Sequence, residues 1–310
     1  MKTTPIALLL AVVTSVLGST DSDNGRFLLI GDWGRRPENS KLHANQRQVA
    51  EAMGKATANN KPAAVICLGD NFYPSGAPTV DSPLFEQAFE KVYTAPSLQV
   101  PFWVILGNHD YYESVQGELD YAKQRRGTGR WTLPSRYWSR TIDIAPGTKA
   151  KFIFLDTSPF VRKYANGKES KGLIEATKQD TAAQLAWLEK ELSEPGIAWR
   201  IVCGHHPIWS GGDHGDTEEI KEFVLPILQK HKVQLYACGH DHHAEVFVRE
   251  QITAVVSGNA SETRTVKETQ GSIFRSKKLG FADLVLGSDK GEIRMLDADG
   301  NVMFTQSLTR

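Results

Sequence analysis

Short runs of apolar, β-branched and aromatic residues alternate with longer amphipathic stretches along most of this chain. Runs of four to six such residues, bounded by glycine or polar residues, read as buried strands. Strands are predicted at 26–30, 64–68, 102–106, 151–155, 200–203, 233–238 and 252–256. Apolar spacing of three and four predicts helices at 44–57, 84–92, 181–192 and 217–231. Asp180 or Thr181, and Asp216 or Thr217, stand where N-caps of the last two belong. Three closely spaced segments at 281–286, 292–296 and 302–306, separated by Gly-Ser-Asp and Asp-Gly turns, predict an antiparallel end-piece. The alternation is that of an α/β fold whose sheets are covered by helices. No internal repeat, low-complexity tract or long linker divides the chain, so one domain over 24–310 is expected.

Composition narrows the class. Hydrophobic residues make up 40% and charged ones 23%, which sets the chain apart from disordered and disulfide-scaffold sequences. Lys+Arg 36 balance Asp+Glu 36 with no long single-sign run, so no nucleic acid is indicated as partner and a small molecule is expected. Met1-Lys2, an apolar run over 5–17 and Gly18-Ser19-Thr20 form a signal-peptide pattern over 1–18. The run is shorter than the roughly 20 residues of a membrane helix, and no cysteine follows it, so the chain reads as exported without a stable membrane anchor. A monomer is expected. Cys67, Cys203 and Cys238 all lie in apolar runs and read first as buried hydrophobes; Cys203 and Cys238 could pair only from neighbouring strands with converging side chains. Residues 157–180 carry Arg162, Lys163, Lys168, Lys171 and Lys178 with little periodicity, and read either as a lid or as a solvated surface loop.

The chemistry follows the strands. Ile30 leads into Gly31-Asp32-Trp33-Gly34, Leu68 into Gly69-Asp70-Asn71-Phe72-Tyr73, and Leu106 into Gly107-Asn108-His109-Asp110. Val202-Cys203 leads into Gly204-His205-His206, and Cys238 into Gly239-His240-Asp241-His242-His243. Ligands of open α/β sheets gather beyond the carboxyl ends of strands, so five such ends predict one polynuclear metal site. His240 and His242, two apart, would face one side of extended backbone; Asp70 and Tyr73 would share a face of a tight turn. The glycines are expected to supply backbone freedom and close approach. His206 and His243 point away from coordinating neighbours and read equally as ligands or as support, whereas His43 and His231 read as helix-surface residues.

The series Asp-x-Gly, Gly-Asp-x-x-Tyr, Gly-Asn-His-Asp, Val-x-x-His and Gly-His-x-His resembles the purple acid phosphatases, most of all their small, tartrate-resistant type. The resemblance continues through Arg130-Trp131-x-x-Pro134, Leu155-Asp156-Thr157, Ala186-Trp187-Leu188, His206-Pro207-Ile208-Trp209, Asp213-His214-Gly215 and Ser257-Gly258. Gly34 stands where the broader metallophosphoesterases usually carry histidine, and with Tyr73 it favours the purple branch. The resemblance implies two mixed β-sheets packed as a sandwich flanked by helices around a βαββαβ core. It also implies a trivalent iron held by Asp32, Asp70, Tyr73 and His242, and a divalent iron, zinc or manganese held by Asp70, Asn108, His205 and His240, with Asp70 shared. Hard anionic donors suit the trivalent ion, and an amide with two imidazoles suits the divalent one. Net charge at the centre is then about +2, suited to hydroxide and a phosphate ester.

The activity so implied is that of a secreted acid phosphatase, with attack of a metal-held hydroxide on small phosphate monoesters. His214 is the expected acid for the leaving group and His109 the expected phosphate contact. The alternatives are a phosphodiesterase or nucleotide hydrolase on the same site, and an exported iron-binding redox protein. Asn259-Ala260-Ser261 is a glycosylation sequon, read equally as an unmodified loop near the site.

Overall fold

A computed structural model describes residues 25–166 and 170–310. The signal segment expected at 1–18, and Lys168 of the basic stretch, lie outside the described residues. In chain order the strands are β1 (Arg26–Ile30), β2 (Ala64–Cys67), β3 (Phe102–Val104), β4 (Trp131–Thr132), β5 (Trp138–Ala145), β6 (Thr148–Phe154) and β7 (Trp199–Cys203), then β8 (Leu235–Cys238), β9 (Ala244–Arg249), β10 (Ile252–Ser257), β11 (Ser272–Ser276), β12 (Gly280–Leu286), β13 (Lys290–Asp297) and β14 (Val302–Thr309).

They form two seven-stranded sheets, ordered β14-β13-β12-β1-β2-β3-β4 and β11-β9-β10-β8-β7-β6-β5. Both are mixed. β1 to β4 run parallel in the first, and β12 to β14 extend it antiparallel from β1, as the end-piece pattern predicts. β6, β7, β8 and β10 run parallel in the second, β5 and β9 run against them, and β11 pairs antiparallel with β9.

Alternation along the strands builds three apolar layers. On β1, Phe27 and Leu29 enter the core between the sheets, while Leu28 and Ile30 face the first sheet's outer helices. The third layer lies between the second sheet and the helix Thr181–Leu192. Each buried Phe, Leu or Ile contributes about 1.5–3 kcal/mol. The cysteines fall one to a layer: Cys67 outside the first sheet, Cys203 between the sheets and Cys238 outside the second. β7 and β8 are neighbours, yet Cys203 and Cys238 face opposite sides, so the conditional disulfide is excluded and all three thiols are free and buried.

Local chemistry moves some boundaries. The first helix, Ser40–Ala56, starts a turn earlier than predicted because the Asn39 side chain accepts from the Leu42 N–H at 3.4 Å. Asp180 caps Thr181–Leu192, accepting from the Ala183 N–H at 2.9 Å. The helix predicted at 217–231 is interrupted: Ile220–Val224 is a wide turn and Leu225–Lys230 is α-helical, because Pro226 lacks the N–H an unbroken ladder needs. The described residues of the basic stretch after Thr157 include helices Lys163–Asn166 and Ser170–Thr177, which its weak periodicity did not predict. Strands β4, β5, β9 and β11 went unpredicted; β4, β5 and β11 are sheet edges, where polar residues break the apolar alternation.

Candidate metal centre

Asp32, Asp70 and Asn108 follow β1, β2 and β3, and His205 and His240 follow β7 and β8, so the parallel ends of both sheets deliver their donors to one edge. The glycines are not what carries the bend at every one of these turns. Asp32 (φ 59°), Asp70 (φ 50°) and His240 (φ 70°) themselves occupy the left-handed region. That conformation costs on the order of 1–3 kcal/mol for such residues and persists only where its surroundings fix it. Here they do: the Asp32 N–H donates to Gly69 O at 3.1 Å, and the His240 N–H to Asp32 Oδ2 at 2.9 Å. The preceding glycines provide close approach instead. A Cβ on Gly239 would lie 2.5 Å from Asp32 Oδ2.

Two clusters of donor atoms result. Around the Tyr73 hydroxyl lie Asp32 Oδ1 and Asp70 Oδ2, each at 2.9 Å, and His242 Nε2 at 3.0 Å. Around His205 Nε2 lie Asn108 Oδ1 at 3.2 Å, Asp70 Oδ1 at 3.3 Å and His240 Nδ1 at 3.3 Å. Asp70 gives one oxygen to each. All seven residues are buried. Because His240 is not in extended backbone, the two histidines do not act as an alternating strand pair: His240 joins one cluster and His242 the other.

The donor set fits a pair of cations. His205 donates its Nδ1–H to Leu68 O at 2.8 Å, which aims Nε2 into the cluster. Two buried carboxylates beside a phenol form a site that is costly without positive charge. Burial, with Asp32 and Asp70 alongside, pushes the Tyr73 phenol well above its ordinary pKa. Burial also works to raise Asp70, but the His205 and His109 imidazoles outweigh it and hold the carboxyl well below the usual range. Burial opposes the charge on His205, yet Asp70 lifts it to about 9, so a cation entering there displaces a proton. His240 is held well below the imidazole range by burial and by His206 and His205.

The other histidines separate clearly. His206 lies close to His205 and His240, but both of its nitrogens are engaged at 2.8 Å, by Thr157 Oγ1 and Tyr164 Oη. His243 Nε2 contacts Glu245 Oε2 at 2.8 Å. His231 is the C-cap of its helix and lies 3.1 Å from Glu189, and His43 donates its Nδ1–H to Arg35 O at 2.9 Å. His109 donates its Nδ1–H to Pro74 O at 2.6 Å and turns Nε2 toward Asp70 Oδ2, 3.9 Å away. His214 sits at the rim, its ring centroid 4.3 Å from that of His240. His109 and His214 line, with Lys163, Arg264 and the donors Asp70, Asn108, His240 and His242, a cavity of about 120 Å³. A larger cavity of about 880 Å³, near Gln116, Trp131 and Arg136, holds none of these donors.

Residues 25–244 match the family model of the calcineurin-like phosphoesterases. Over 294 residues the chain is 33% identical to Purple acid phosphatase 7 of Arabidopsis thaliana, covering 92% of this chain and 86% of that one. The chain belongs to the purple acid phosphatases. This is a phosphoesterase family, and the chain is also 31% identical to Tartrate-resistant acid phosphatase type 5 of Sus scrofa, over 92% of this chain and 87% of the relative. It is 37% identical to Purple acid phosphatase 4 of Arabidopsis thaliana, and there it spans only 61% of the relative's length. Among solved structures, GAP50, "the anchor in the inner membrane complex of Plasmodium", superposes with a TM-score of 0.78 at 23% identity, over 92% of this chain and 88% of that one. The yellow lupin purple acid phosphatase PPD1 gives 0.63 at 17% identity, over 92% and 53%. These share the fold.

Sequence reasoning missed part of this purple acid phosphatase's site. Arg264 borders the cavity and Arg35 and Glu262 back the first cluster, whereas Lys163, also at the cavity, belongs to the basic stretch read as a lid or a surface loop. A signal for Glu262 and Arg264 was present: Gly258 follows β10 as the other glycines follow their strands, and Ser261 to Arg264 come within six residues of it. The sequon is structural. Asn259 is buried and donates to Lys278 O at 2.9 Å.

Proposed function

We propose that this chain is an acid phosphatase hydrolysing phosphate monoesters at a two-metal centre. Asp32, Asp70, Tyr73 and His242 would hold a trivalent iron, and Asp70, Asn108, His205 and His240 a divalent iron, zinc or manganese. The observation that carries this reading is the division of Asp70, one oxygen in each donor cluster. Such a metal pair, when bound, supplies Lewis-acid polarisation of phosphoryl oxygens and a water of lowered pKa.

The protein's own groups do the rest. His109, fixed through Nδ1 to Pro74 O, presents Nε2 to a phosphoryl oxygen in the cavity. Lys163 and Arg264 at its border attract an anionic ester. His214, at the rim of the cavity, is the acid for the departing alkoxide in this reading. Desolvation holds its pKa below the ordinary imidazole value; Asp241 opposes this, and Lys163 and Arg264 reinforce it. The protonated form is therefore lost as pH rises through a value below about 6.5, which suits an acid optimum. Residues 1–18 support export, and no helix among the described residues is long and apolar enough to cross a membrane.

Elemental analysis and visible spectroscopy of the purified holoprotein test the reading. A phenolate-to-iron band is expected, and Tyr73→Phe should abolish it. An unchanged band in that variant removes Tyr73 from the ligand set and the trivalent site with it.

A further inference from the structure

One short loop, residues 259–264, reaches Asp32 and His242 of the Tyr73 cluster directly, and Tyr73 through Arg35. Ser261 Oγ donates to Asp32 O at 2.5 Å and accepts from Arg35 Nε at 2.7 Å. Arg35 Nη2 lies 3.1 Å from Glu262 Oε2, and its guanidinium carbon lies 3.5 Å from the centroid of the Tyr73 ring. The same Glu262 oxygen is 3.1 Å from His242 Nδ1, and the Arg264 N–H donates to His242 O at 2.7 Å. The Arg35 side chain is only 7% exposed and that of Glu262 30%.

We propose that Arg35 and Glu262 are positioning residues of this centre, Arg35 withdrawing electron density from the Tyr73 phenolate and Glu262 adding it to His242. A desolvated cation on a ring face interacts with it strongly, more so when the ring is anionic. The stacked guanidinium therefore stabilises the phenolate's filled orbitals and makes it a weaker donor. A carboxylate behind an imidazole fixes its tautomer and raises its basicity. Sharing one ion pair, the two residues set opposing donor strengths on the same side of the cluster. The inference rests on Tyr73 and His242 as ligands of the trivalent ion.

The test uses holoprotein of wild type, Arg35→Met, Arg35→Lys, Glu262→Gln and Glu262→Asp, with the visible spectrum, the extent and rate of metal loss to a chelator, and thermal melting as readouts. Arg35→Met should move the band to longer wavelength, because the phenolate orbitals rise when the cation leaves; Arg35→Lys, which keeps charge without the planar stack, should fall between. Glu262→Gln should weaken metal retention by about 10- to 100-fold, with Glu262→Asp recovering part of it. If Arg35→Met does not yield folded protein, the partly exposed Glu262 position reports on the same ion pair. Wild-type band position and wild-type metal retention in these variants, with only melting lowered, would reduce the pair to a structural latch and overturn the proposal. A coloured Tyr73→Phe protein instead overturns the ligand assignment itself, so the two failures are distinguishable.

Discussion

Gly34→Ala isolates how tightly the ligand-bearing turns are packed. A Cβ built on Gly34 falls 1.8 Å from Asn71 O, 2.9 Å from Asn71 C and 3.0 Å from Phe72 Cδ1. An ordinary carbon–oxygen approach is about 3.3 Å, so the Asn71 carbonyl must retreat by roughly 1.5 Å. It has little room. The Asn71 N–H donates to Asp110 Oδ1 at 2.8 Å, and its side-chain amide to Ile105 O at 2.8 Å and Glu118 Oε2 at 3.0 Å. Asn71 also lies between Asp70 and Tyr73, and the Tyr73 N–H donates to Gly34 O at 2.8 Å. Overpacking of this kind costs about 1–3 kcal/mol and the strained hydrogen bond about 0.5–1.5 kcal/mol more. Together roughly 1.5–4.5 kcal/mol is lost, a fall of about 3–18 °C in melting temperature at 2–4 °C per kcal/mol. Ligands displaced by about 1 Å should lower phosphatase turnover by about 100-fold. Gly34 does not adopt a positive φ, so backbone strain plays no part, and chain entropy alone would make alanine stabilising by about 0.4–1 kcal/mol. The two effects have opposite signs. Scanning calorimetry and turnover on a chromogenic phosphate monoester decide between them; unchanged or raised melting with wild-type turnover refutes the collision.

Asp70→Asn retains shape and tolerates φ 50°, yet removes the charge shared by both clusters, so elemental analysis should find both metals depleted; two full equivalents would rule out a shared carboxylate. Burial raises Asp156 to about 7 against the opposing Tyr111 hydrogen bond and Arg136. The unfolded chain ionises it near 3.9, so stability is full below that pH and declines as pH rises to about 7, by up to about 4 kcal/mol. Asp156→Asn should be free of that decline, seen as denaturant midpoints that diverge from wild type between pH 4.5 and 7.5; parallel profiles would refute it. Mass spectrometry of protein made in a glycosylating host should show no glycan on Asn259, and a modified peptide from native protein would contradict its burial.

Much of the centre was legible because it is written locally. A glycine and a donor follow each parallel strand, and parallel strands bring their ends to one edge whatever the distance along the chain. Arg35 and Glu262, 227 positions apart, meet only because β1 and β10 end at that same edge, and neither carries a motif of its own. The left-handed aspartates were hidden for a different reason. Adjacent glycines seemed sufficient for the turns, and only the contacts at Gly69 O and Asp32 Oδ2 show that the donors take up the strain. Edge strands β5 and β11 lack the alternation of an element buried on both faces, so periodicity passed over them.

The placement of one thiol in each apolar layer makes the molecule its own recorder of partial opening. A thiol reagent added to native protein can modify Cys67, Cys203 or Cys238 only when the stratum around it loosens. Three labelling rates then rank the strata by the free energy of exposing them. Since no cross-link joins these residues, the chain can be refolded under reductant, which is removed before labelling, with no disulfide to restore.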